Sequence, residues 1–440
     1  MAITDTAQDL TNFDEALKIR YAKAITQYIE RTVALYGMLE KKKQGWTGKH
    51  FLVPVNIRTP NTVGARAHSG NLPSGGADVY VDAKIVAKYN YCKVKAFNTA
   101  EAHSSGKAGA WATVRKQVLK NAAADLRDSL NRQLNWGSDG ILCEANSSGL
   151  TVTIKTYGDS IANTTGDAPD TTKLLRVGMR VCWGSYLTAG VLEFAAVSPV
   201  AKSFGQVSSI TSKTVFVVTN TGGGAAPVAG DVFVIGEGLG IEDHSLTHEL
   251  TGVSEMIDDS GTFENIASAT YPEWKSQMFA NPDGAGTERE LQEDDITQML
   301  DAISTESTGS ASDLLLFGHH STRRAYANSL KSRNAERFKP TKVKGGYSRE
   351  YLTFHYDGSD VPLVDDKMAK HRTLFAMSKA HTSIYEVKPF SWDSSSGGTW
   401  KWDGSQDAVV AFGKIYCDLG TDNRAAMGAI EDIAVTGITK

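Results

Sequence analysis

The sequence has few cysteines, no long apolar run and no large excess of charge of one sign. Its four cysteines lie far apart and none belongs to a Cys-x-x-Cys motif, which excludes a disulfide framework and a zinc ribbon. Wholly apolar runs, such as 408–412, are far shorter than the roughly 20 residues that span a membrane. Residues 1–20 are polar and acidic, without the apolar stretch of a signal peptide. These absences indicate a soluble protein made in a reducing cytoplasm.

The net charge is also small: 46 basic and 50 acidic residues give −4. This balance argues against a protein whose whole surface binds nucleic acid. The charge is uneven along the chain, because 242–306 holds 16 acidic and 2 basic residues, whereas 319–349 holds 9 basic and 1 acidic. Two interpretations are open. The blocks are separate solvated faces, or they are complementary patches that meet between copies of the chain.

No catalytic motif stands out. The Gly-Lys pairs lack the spacing of a phosphate-binding loop, no Gly-x-Ser-x-Gly elbow occurs, and His244 and His248 lack the intervening glutamate of a zinc protease. One cluster of tryptophans and aspartates leaves two interpretations open, a sugar-binding platform or a β-hairpin with aromatic cross-strand contacts. Its members are Trp392, Trp400, Trp402, Asp393 and Asp403.

Two segments have the apolar spacing of long helices. In 12–40, apolar side chains recur every three or four residues, among them Tyr21 and Ile25. This stripe must be covered by other apolar surface. In 107–136 an i+4 apolar ridge predicts a helix of about 40 Å, longer than one compact core usually needs.

Residues 50–95 have the pattern of a long hairpin. Apolar residues alternate in its arms, 51–57 and 79–86, and the Gly- and Pro-containing segment 60–77 between them is longer than an ordinary hairpin turn. An isolated two-stranded ribbon is marginal in water, so it must lie on its own body or on a neighbour. A lid over an active site is an alternative.

The segment 145–240 is rich in glycine and in short β-type runs, which predicts a small antiparallel barrel or sandwich inserted after the long helix. The last part of the chain alternates helical and strand patterns, as in an α+β fold. The predicted elements are helices at 294–305 and 321–333 and strands at 314–317, 351–356, 361–364, 373–377, 383–387 and 408–416.

This order of segments resembles the major capsid proteins of tailed bacteriophages, which have the Hong Kong ninety-seven type fold. Four local runs are also similar to that family, and the likeness covers about three quarters of the chain, everything except 145–240. The runs are Glu249-Leu250-Thr251-Gly252, Tyr271-Pro272-Glu273-Trp274, 313–326 and 361–366.

The resemblance implies an α+β fold with seven segments, whose boundaries are predictions. They are an N-terminal arm (1–49), an extended hairpin loop (50–95), a peripheral domain (96–144) with its spine helix at 107–136, the inserted β domain (145–240), a return to the peripheral domain (241–299), an axial domain (300–420) and a C-terminal segment (421–440).

The resemblance also implies a function. The chain would be a structural protein without catalytic activity, cofactor or metal, which assembles into hexamers and pentamers of an icosahedral head around double-stranded DNA. It would belong to the virion and assemble in the host cytoplasm. It would work with a portal, with a decoration protein as a candidate partner, contact DNA only weakly and not bind membranes. Candidate inter-subunit contacts are Tyr21, Ile25, Arg58, Arg66, Arg323 and Arg324.

Two departures from the family pattern carry further expectations. The arm is short, which predicts a separate scaffolding protein. No lysine occurs from His50 to Ala83, so we expect non-covalent locking of the loop rather than a lysine crosslink. Two rival functions stay open: an encapsulin-type shell around an enzyme cargo, and a carbohydrate-active enzyme with a β accessory domain.

Overall fold

The computed structural model describes residues 34–42, 50–60, 62–66, 68, 70–71, 75–104, 114–136, 140–155, 172–187, 191–193, 204–237, 245, 248–280, 288–306, 313–332, 338–342, 348–394 and 398–434. Most of the helix predicted at 12–40 lies outside these residues, as does 107–113 of the second predicted helix. No helix among the described residues is long and apolar enough to cross a membrane.

The chain begins its described course with a short helix and the strands of a hairpin. The elements of this first part are α1 (Ala34–Met38), β1 (Glu40–Lys42), β2 (Phe51–Arg58), β3 (Val79–Ile85), β4 (Lys88–Phe97), α2 (Asn98–Ser104) and α3 (Val114–Asn135). The long helix α3 confirms the second helix prediction over its described length. Residue 40 starts a strand, so the first predicted helix ends earlier than expected, at Met38.

Strands β2 and β3 pair with each other in an antiparallel hairpin, as predicted. The pairing ends at Ile85, and β4 pairs instead with a strand more than 300 residues later in the chain. The sheet that contains β4 has five strands, with β1 at one edge. Its later strands are β20 (Thr382–Trp392), β21 (Lys401–Trp402) and β22 (Ala408–Thr421).

The segment predicted to be a small β domain forms a seven-stranded antiparallel sheet. Its strands are β5 (Ile141–Glu144), β6 (Thr151–Thr153), β7 (Arg180–Leu187), β8 (Val191–Glu193), β9 (Phe204–Ile210), β10 (Val215–Asn220) and β11 (Asp231–Ile235). The terminal strands β5 and β6 meet through a bridge between Ala145 and Ile154, so the sheet closes into a barrel. Large apolar side chains such as Trp183, Phe216 and Phe233 fill its interior.

The second half of the chain forms another sheet, mixed and seven-stranded, with helices beside it. Its order is β14-β23-β19-β15-β18-β17-β16. Its strands are β14 (Gln277–Phe279), β15 (Leu314–Gly318), β16 (Phe338–Lys342), β17 (Ser348–Tyr356), β18 (Ser359–Asp365), β19 (Leu374–Ser378) and β23 (Gly428–Ile430). A separate two-stranded sheet, β12 (Thr262–Phe263) and β13 (Ile266–Ala267), precedes them in the chain. The helices are α4 (Val253–Met256), α5 (Glu293–Glu306) and α6 (His320–Ser332). The helices and strands predicted in this half are confirmed within one to five residues at their ends.

Helix α3 joins these units. Its apolar ridge enters the largest buried cluster through Leu126, Leu130 and Leu134. Asn131 donates to the carboxylate of Asp366 at 2.9 Å, at the end of the second sheet. Because α3 contacts both sheets and precedes the barrel, its position fixes how all three are arranged.

The run 249–252 packs against the end of α3. Glu249 forms a buried ion pair with Arg132, and the backbone N–H of Leu250 donates to the side chain of Gln133 at 3.1 Å. A Cβ on Gly252 would lie only 1.2 Å from the carbonyl oxygen of Trp136, so this position requires glycine. The run 249–252, which resembles the capsid family, therefore packs against the C-terminal end of α3.

Candidate assembly surfaces

The hairpin has two different faces. Along β2 the side chains alternate between half-buried and exposed, which is the pattern of a ribbon with one covered face. Val53, Val55 and Val81 pack on the main buried cluster of the same chain. On the opposite face, Leu52 is 55% exposed and Tyr80 is 65% exposed. The inner face is thus held by the subunit itself, whereas the outer face stays open.

The tip of the hairpin, residues 60–78, is open as well. Its described residues from Val63 onward are all exposed, and Val63 itself is 91% exposed. Arg66, a predicted contact residue, donates only to the carbonyl oxygen of Ala65, its neighbour in the chain, at 3.2 Å. The tip therefore presents an apolar side chain and a cation to the solvent.

The end of β2 next to the tip is tied to the body by an ion pair. Arg58 donates to both carboxylate oxygens of Glu273, with Nε–Oε1 and Nη2–Oε2 distances of 2.5 and 3.1 Å. This pairing raises the pKa of Arg58 and lowers that of Glu273. Glu273 belongs to the family-like run 271–274, which is anchored by the buried Trp274. The structure therefore places Arg58 in an exposed ion pair within the subunit.

A strained turn lies under the other end of the hairpin, its base, where β2 begins and β3 ends. The backbone N–H of Lys84 donates to the carbonyl oxygen of Glu264 at 2.8 Å. Glu264 has a φ of 50°, in the left-handed region, and its buried carboxylate accepts a hydrogen bond from the N–H of Thr421 at 2.9 Å. Burial raises the pKa of Glu264 to about 8, and it raises that of the nearby Asp418 to about 7. Both carboxyl groups are thus set to titrate near neutral pH.

The root of the arm is held by a buried carboxylate. The hydroxyl of Tyr36 in α1 donates to Glu386 at 2.9 Å, and the Lys41 ammonium lies 3.9 Å from the same carboxylate. Burial and the bond to Glu386 raise the pKa of Tyr36. The predicted contacts Tyr21 and Ile25 precede this root and lie outside the described residues.

The predicted contacts on α6 lie near the end of β18. Arg323 Nε is 3.5 Å from the carboxylate of Asp365, which also accepts a short hydrogen bond from His320. Arg324 is exposed and forms no ion pair within the described part of the chain. The two arginines are thus not equivalent, since one is partly neutralised inside the subunit.

Sequence reasoning missed an aromatic surface on the five-stranded sheet. Tyr89 and Tyr91 of β4 are 59% and 60% exposed, and both rings contact Tyr416 of β22 edge-on, with centroids 5.0 and 5.9 Å apart. Lys388 lies over the Tyr416 ring at 5.9 Å. The alternation of tyrosine and lysine in 88–95 was the available signal, but assigning these residues to the hairpin concealed it.

The tryptophan and aspartate cluster has a structural arrangement. Asp393 accepts hydrogen bonds from Lys401 and Lys414 at 2.8 and 3.1 Å. Asp403 forms an ion pair with Lys95 at 2.5 Å. Each carboxylate is therefore paired with lysine. Glycoside chemistry would instead require two carboxyl groups that face each other as acid and base. Among the described residues, no group of three or more His, Cys, Asp or Glu side chains is arranged to hold a metal.

No protein-family model and no curated protein sequence matches the chain. Its structure is similar to the capsid of cyanophage A-1(L), with a TM-score of 0.56, 12% identity, and coverage of 95% of this chain and 98% of that chain. The capsid of a native GTA particle (TM-score 0.48, 8% identity, 96% of both chains) and the holo-SrpI encapsulin complex of Synechococcus elongatus PCC 7942 (0.46, 8%, 99% of both) are also similar.

At 12% identity, the likeness to the cyanophage capsid concerns the fold. It extends over nearly the whole length of both chains. The chain therefore has the Hong Kong ninety-seven type fold of tailed-phage capsid proteins, α+β with an inserted antiparallel β domain, as its segment order predicted.

Proposed function

We propose that this chain is the major capsid protein of a tailed phage. Copies assemble into hexamers and pentamers of an icosahedral head that encloses double-stranded DNA. The observation that carries the proposal is the hairpin, whose inner face packs on its own subunit while its outer face and tip stay open. The capsid fold supports the same conclusion.

The open face carries two large exposed apolar side chains on a mixed surface. Leu52 and Tyr80 lie on the same side of the ribbon, with the pair Pro54 and Asp82 between them in the register of β2 and β3. Large exposed apolar side chains support an interaction site on this face. In a closed shell the same surface recurs on every copy, so a modest contact is repeated many times.

The proposal gives each segment a role. Residues 1–49 form the arm and 50–95 include the loop that reaches a neighbour. Residues 96–144 and 241–299 form the peripheral domain, 300–420 form the axial domain near the ring centre, and 421–440 complete the chain. The barrel at 145–240 is an added domain on the shell.

Within this assembly we assign the candidate contacts to subunit interfaces. Arg66 at the hairpin tip and Arg324 on α6 are the strongest of them, because both side chains are exposed. Arg58 and Arg323 already have carboxylate partners in the subunit. At an interface, each arginine would share its carboxylate with a group of the neighbouring subunit. Tyr21 and Ile25 stay predictions from the sequence.

Further partners are part of the proposal. A separate scaffolding protein directs assembly, a portal occupies one vertex, and a decoration protein is a candidate ligand of the outer surface. The loop is locked without covalent bonds. DNA is contacted weakly and without sequence preference, because many lysine and arginine contacts to phosphate would hinder its release.

The test compares the wild-type chain with Leu52→Asp and Tyr80→Asp in sedimentation and negative-stain microscopy. The matched control is Val177→Asp, which places the same charge on a 64% exposed apolar site of the barrel. We expect rings of five or six for the wild type and for the control, and shells when the scaffolding protein is present. Both hairpin variants should lose the rings and the shells. Unchanged particles in the hairpin variants would contradict the proposal.

The same particles separate the rival functions. Double-stranded DNA inside particles formed in infected cells supports a phage head, whereas a packaged enzyme supports an encapsulin-type shell. A chain that remains a small oligomer, with or without a scaffolding protein, would favour the enzyme alternative.

A further inference from the structure

The five-stranded sheet has one face that is packed on helix α3 and an opposite face that is exposed. Val94 of β4 belongs to a buried cluster with Val118 of α3, so the helix covers this side of the strand. Because side chains alternate along a strand, Tyr89, Tyr91 and Lys93 lie on the other side. All three side chains are exposed.

Tyrosine and lysine continue across the exposed face into the neighbouring strands. In the register of the sheet, Tyr89 pairs with Tyr416 of β22, and Tyr416 pairs in turn with Lys388 of β20. Paired residues of neighbouring strands project from the same face. We call this surface the tyrosine–lysine face, and it consists of Tyr89, Tyr91, Lys93, Lys388, Lys414 and Tyr416.

The tyrosine–lysine face combines aromatic rings with positive charge. The Lys388 ammonium lies 5.9 Å from the centre of the Tyr416 ring, and Asp393 neutralises part of the charge by pairing with Lys414 at 3.1 Å. Tyrosine is enriched at protein interfaces because its ring is apolar and its hydroxyl is polar. The face is therefore suited to a partner that presents carboxylates.

Helix α5 presents such carboxylates. The segment 290–306 contains six acidic residues and no lysine or arginine. Its apolar side chains, such as Met299, are buried, because the helix packs on β14 and β23. Asp294, Asp301 and Glu306 are exposed. The outward side of α5 is therefore acidic.

Two of these acids have neutral hydrogen-bond donors within the subunit. Gln298 donates to Asp294, and the hydroxyl of Tyr356 donates to Asp301, both at 2.8 Å. Because neither donor is a cation, these hydrogen bonds leave the negative charge of the helix in place. The charge is then available to a cationic surface.

The dimensions of the two surfaces agree. Lys93 and Lys388 are separated by two strand spacings and by four residues along β22, which is about 17 Å. Asp294 and Glu306 are about 18 Å apart along α5. One helix can therefore cross the tyrosine–lysine face with acids near both of its outer lysines.

We propose that the tyrosine–lysine face of one copy binds helix α5 of a second copy. The inference rests on the proposed function, since it requires copies that assemble. The contact joins two different surfaces, so it is heterologous and closes when five or six copies form a ring. The opposite charges fix the orientation of neighbouring copies.

A single-stranded nucleic acid is the alternative occupant, because exposed aromatic rings and lysines also bind such strands. Two features favour α5. Asp393 lies among the lysines, where it would repel a phosphate backbone that is charged at every nucleotide. The rings of Tyr89 and Tyr91 contact Tyr416 edge-on instead of forming a row of open ring faces.

Charge reversal on both surfaces tests the contact. One variant carries Lys93→Glu and Lys388→Glu, a second carries Asp301→Lys and Glu306→Lys, and a third carries all four changes. Sedimentation and negative-stain microscopy measure the yield of rings. We expect each double variant to lower the yield at least about tenfold, because like charges then face each other. The fourfold variant should recover at least half of the wild-type yield.

The matched control is Lys120→Glu with Lys213→Glu, which reverses two exposed lysines on α3 and on the barrel. It should assemble like the wild type. Normal rings in both double variants, or no recovery in the fourfold variant, would overturn the inference and leave the proposed function in place. A wild-type chain that forms no rings, with or without a scaffolding protein, would contradict both.

A binding measurement separates the alternative occupant. Fluorescence anisotropy follows a labelled oligothymidylate mixed with separated subunits of the wild type and of the variant with Lys93→Glu and Lys388→Glu. We expect weak binding that is equal in the two proteins. Strong binding by the wild type that the variant loses, together with normal rings in that variant, would assign the face to nucleic acid and overturn the inference.

Discussion

The barrel and the hairpin are both built from antiparallel strands, but only the barrel pairs its two terminal strands with each other. The barrel closes on itself through Ala145 and Ile154, with the N–H of Asn146 donating to Thr153 and that of Lys155 donating to Glu144. The hairpin has two strands, one covered face and an open face. The barrel leaves no unpaired edge between β5 and β6, whereas the hairpin leaves one of its faces exposed.

This difference is the reason for proposing an assembly interface on the hairpin rather than on the barrel. A closed barrel removes its strand edges and buries large aromatic side chains, so its stability belongs to the subunit. A two-stranded ribbon is marginal alone. Changes in the barrel should therefore alter subunit stability, whereas changes on the outer face of the hairpin should alter assembly.

The largest expected effect is in the barrel core. Phe233 is completely buried and packs against Trp183 and Phe216. Phe233→Ala removes a large side chain and leaves a cavity, so we expect a loss of about 3–5 kcal/mol in the free energy of unfolding. Denaturant unfolding followed by tryptophan fluorescence measures it. A loss below about 1 kcal/mol would mean that the barrel is not packed as described.

The next effect concerns pH at the base of the hairpin. The pKa of Glu264 is about 8 when folded, against 4.5 as its ordinary value, so the folded state binds the proton more tightly. The stability from this group is complete below about pH 4.5 and is lost as the pH rises through 8. Asp418, with a pKa of about 7, acts in the same direction.

We expect the free energy of unfolding to fall by roughly 3 kcal/mol between pH 5 and 7.5 through Glu264. Glu264→Gln should remove most of this slope while the contribution of Asp418 remains. Denaturant titrations at several pH values measure the effect. An identical slope in wild type and variant would show that Glu264 is not the responsible group.

A smaller effect is expected where the barrel meets α3. Arg176 forms ion pairs with Asp125 and Asp128, at 3.0 and 3.1 Å. Because the arginine is 47% exposed, solvent screens these contacts, and Arg176→Ala should cost about 1 kcal/mol. Hydrogen exchange should quicken in the barrel and in α3 but not in the hairpin. Faster exchange in the hairpin instead would show that the two regions are coupled.

The smallest effect on subunit stability is expected at the outer face of the hairpin. Leu52→Ala removes a side chain that is 55% exposed, so the free energy of unfolding should change by less than about 0.5 kcal/mol. The yield of assembled particles should nevertheless fall. A large loss of subunit stability with normal assembly would show that the outer face of the hairpin stabilises the subunit rather than the assembly.

Much of the local structure could be predicted because the relevant patterns lie in consecutive residues. The apolar ridge of α3, the alternation in β2 and β3, and the strands around Leu314 and Val361 are examples. The helix at 12–40 was predicted on the same grounds, but it ends at Met38, two residues before the predicted end. Periodicity states which face is covered but not by which partner.

The contacts that define the candidate surfaces could not be predicted, because they join distant parts of the chain. β4 pairs with β22, Arg58 bonds to Glu273, and Ala145 meets Ile154 only after the sheet has curved. The exposure of Tyr89 and Tyr91 follows from the first of these pairings. No local pattern in 88–95 distinguishes a hairpin arm from the edge of another sheet.

The most direct test of the central claim is hydroxyl-radical footprinting of Tyr80 in assembled particles and in separated subunits. Tyr80 is 65% exposed in the subunit, and Val177 on the barrel, at 64%, serves as the internal reference. If a neighbouring copy covers the hairpin, modification of Tyr80 should drop on assembly relative to that of Val177. Equal modification of Tyr80 in particles and subunits would contradict the account.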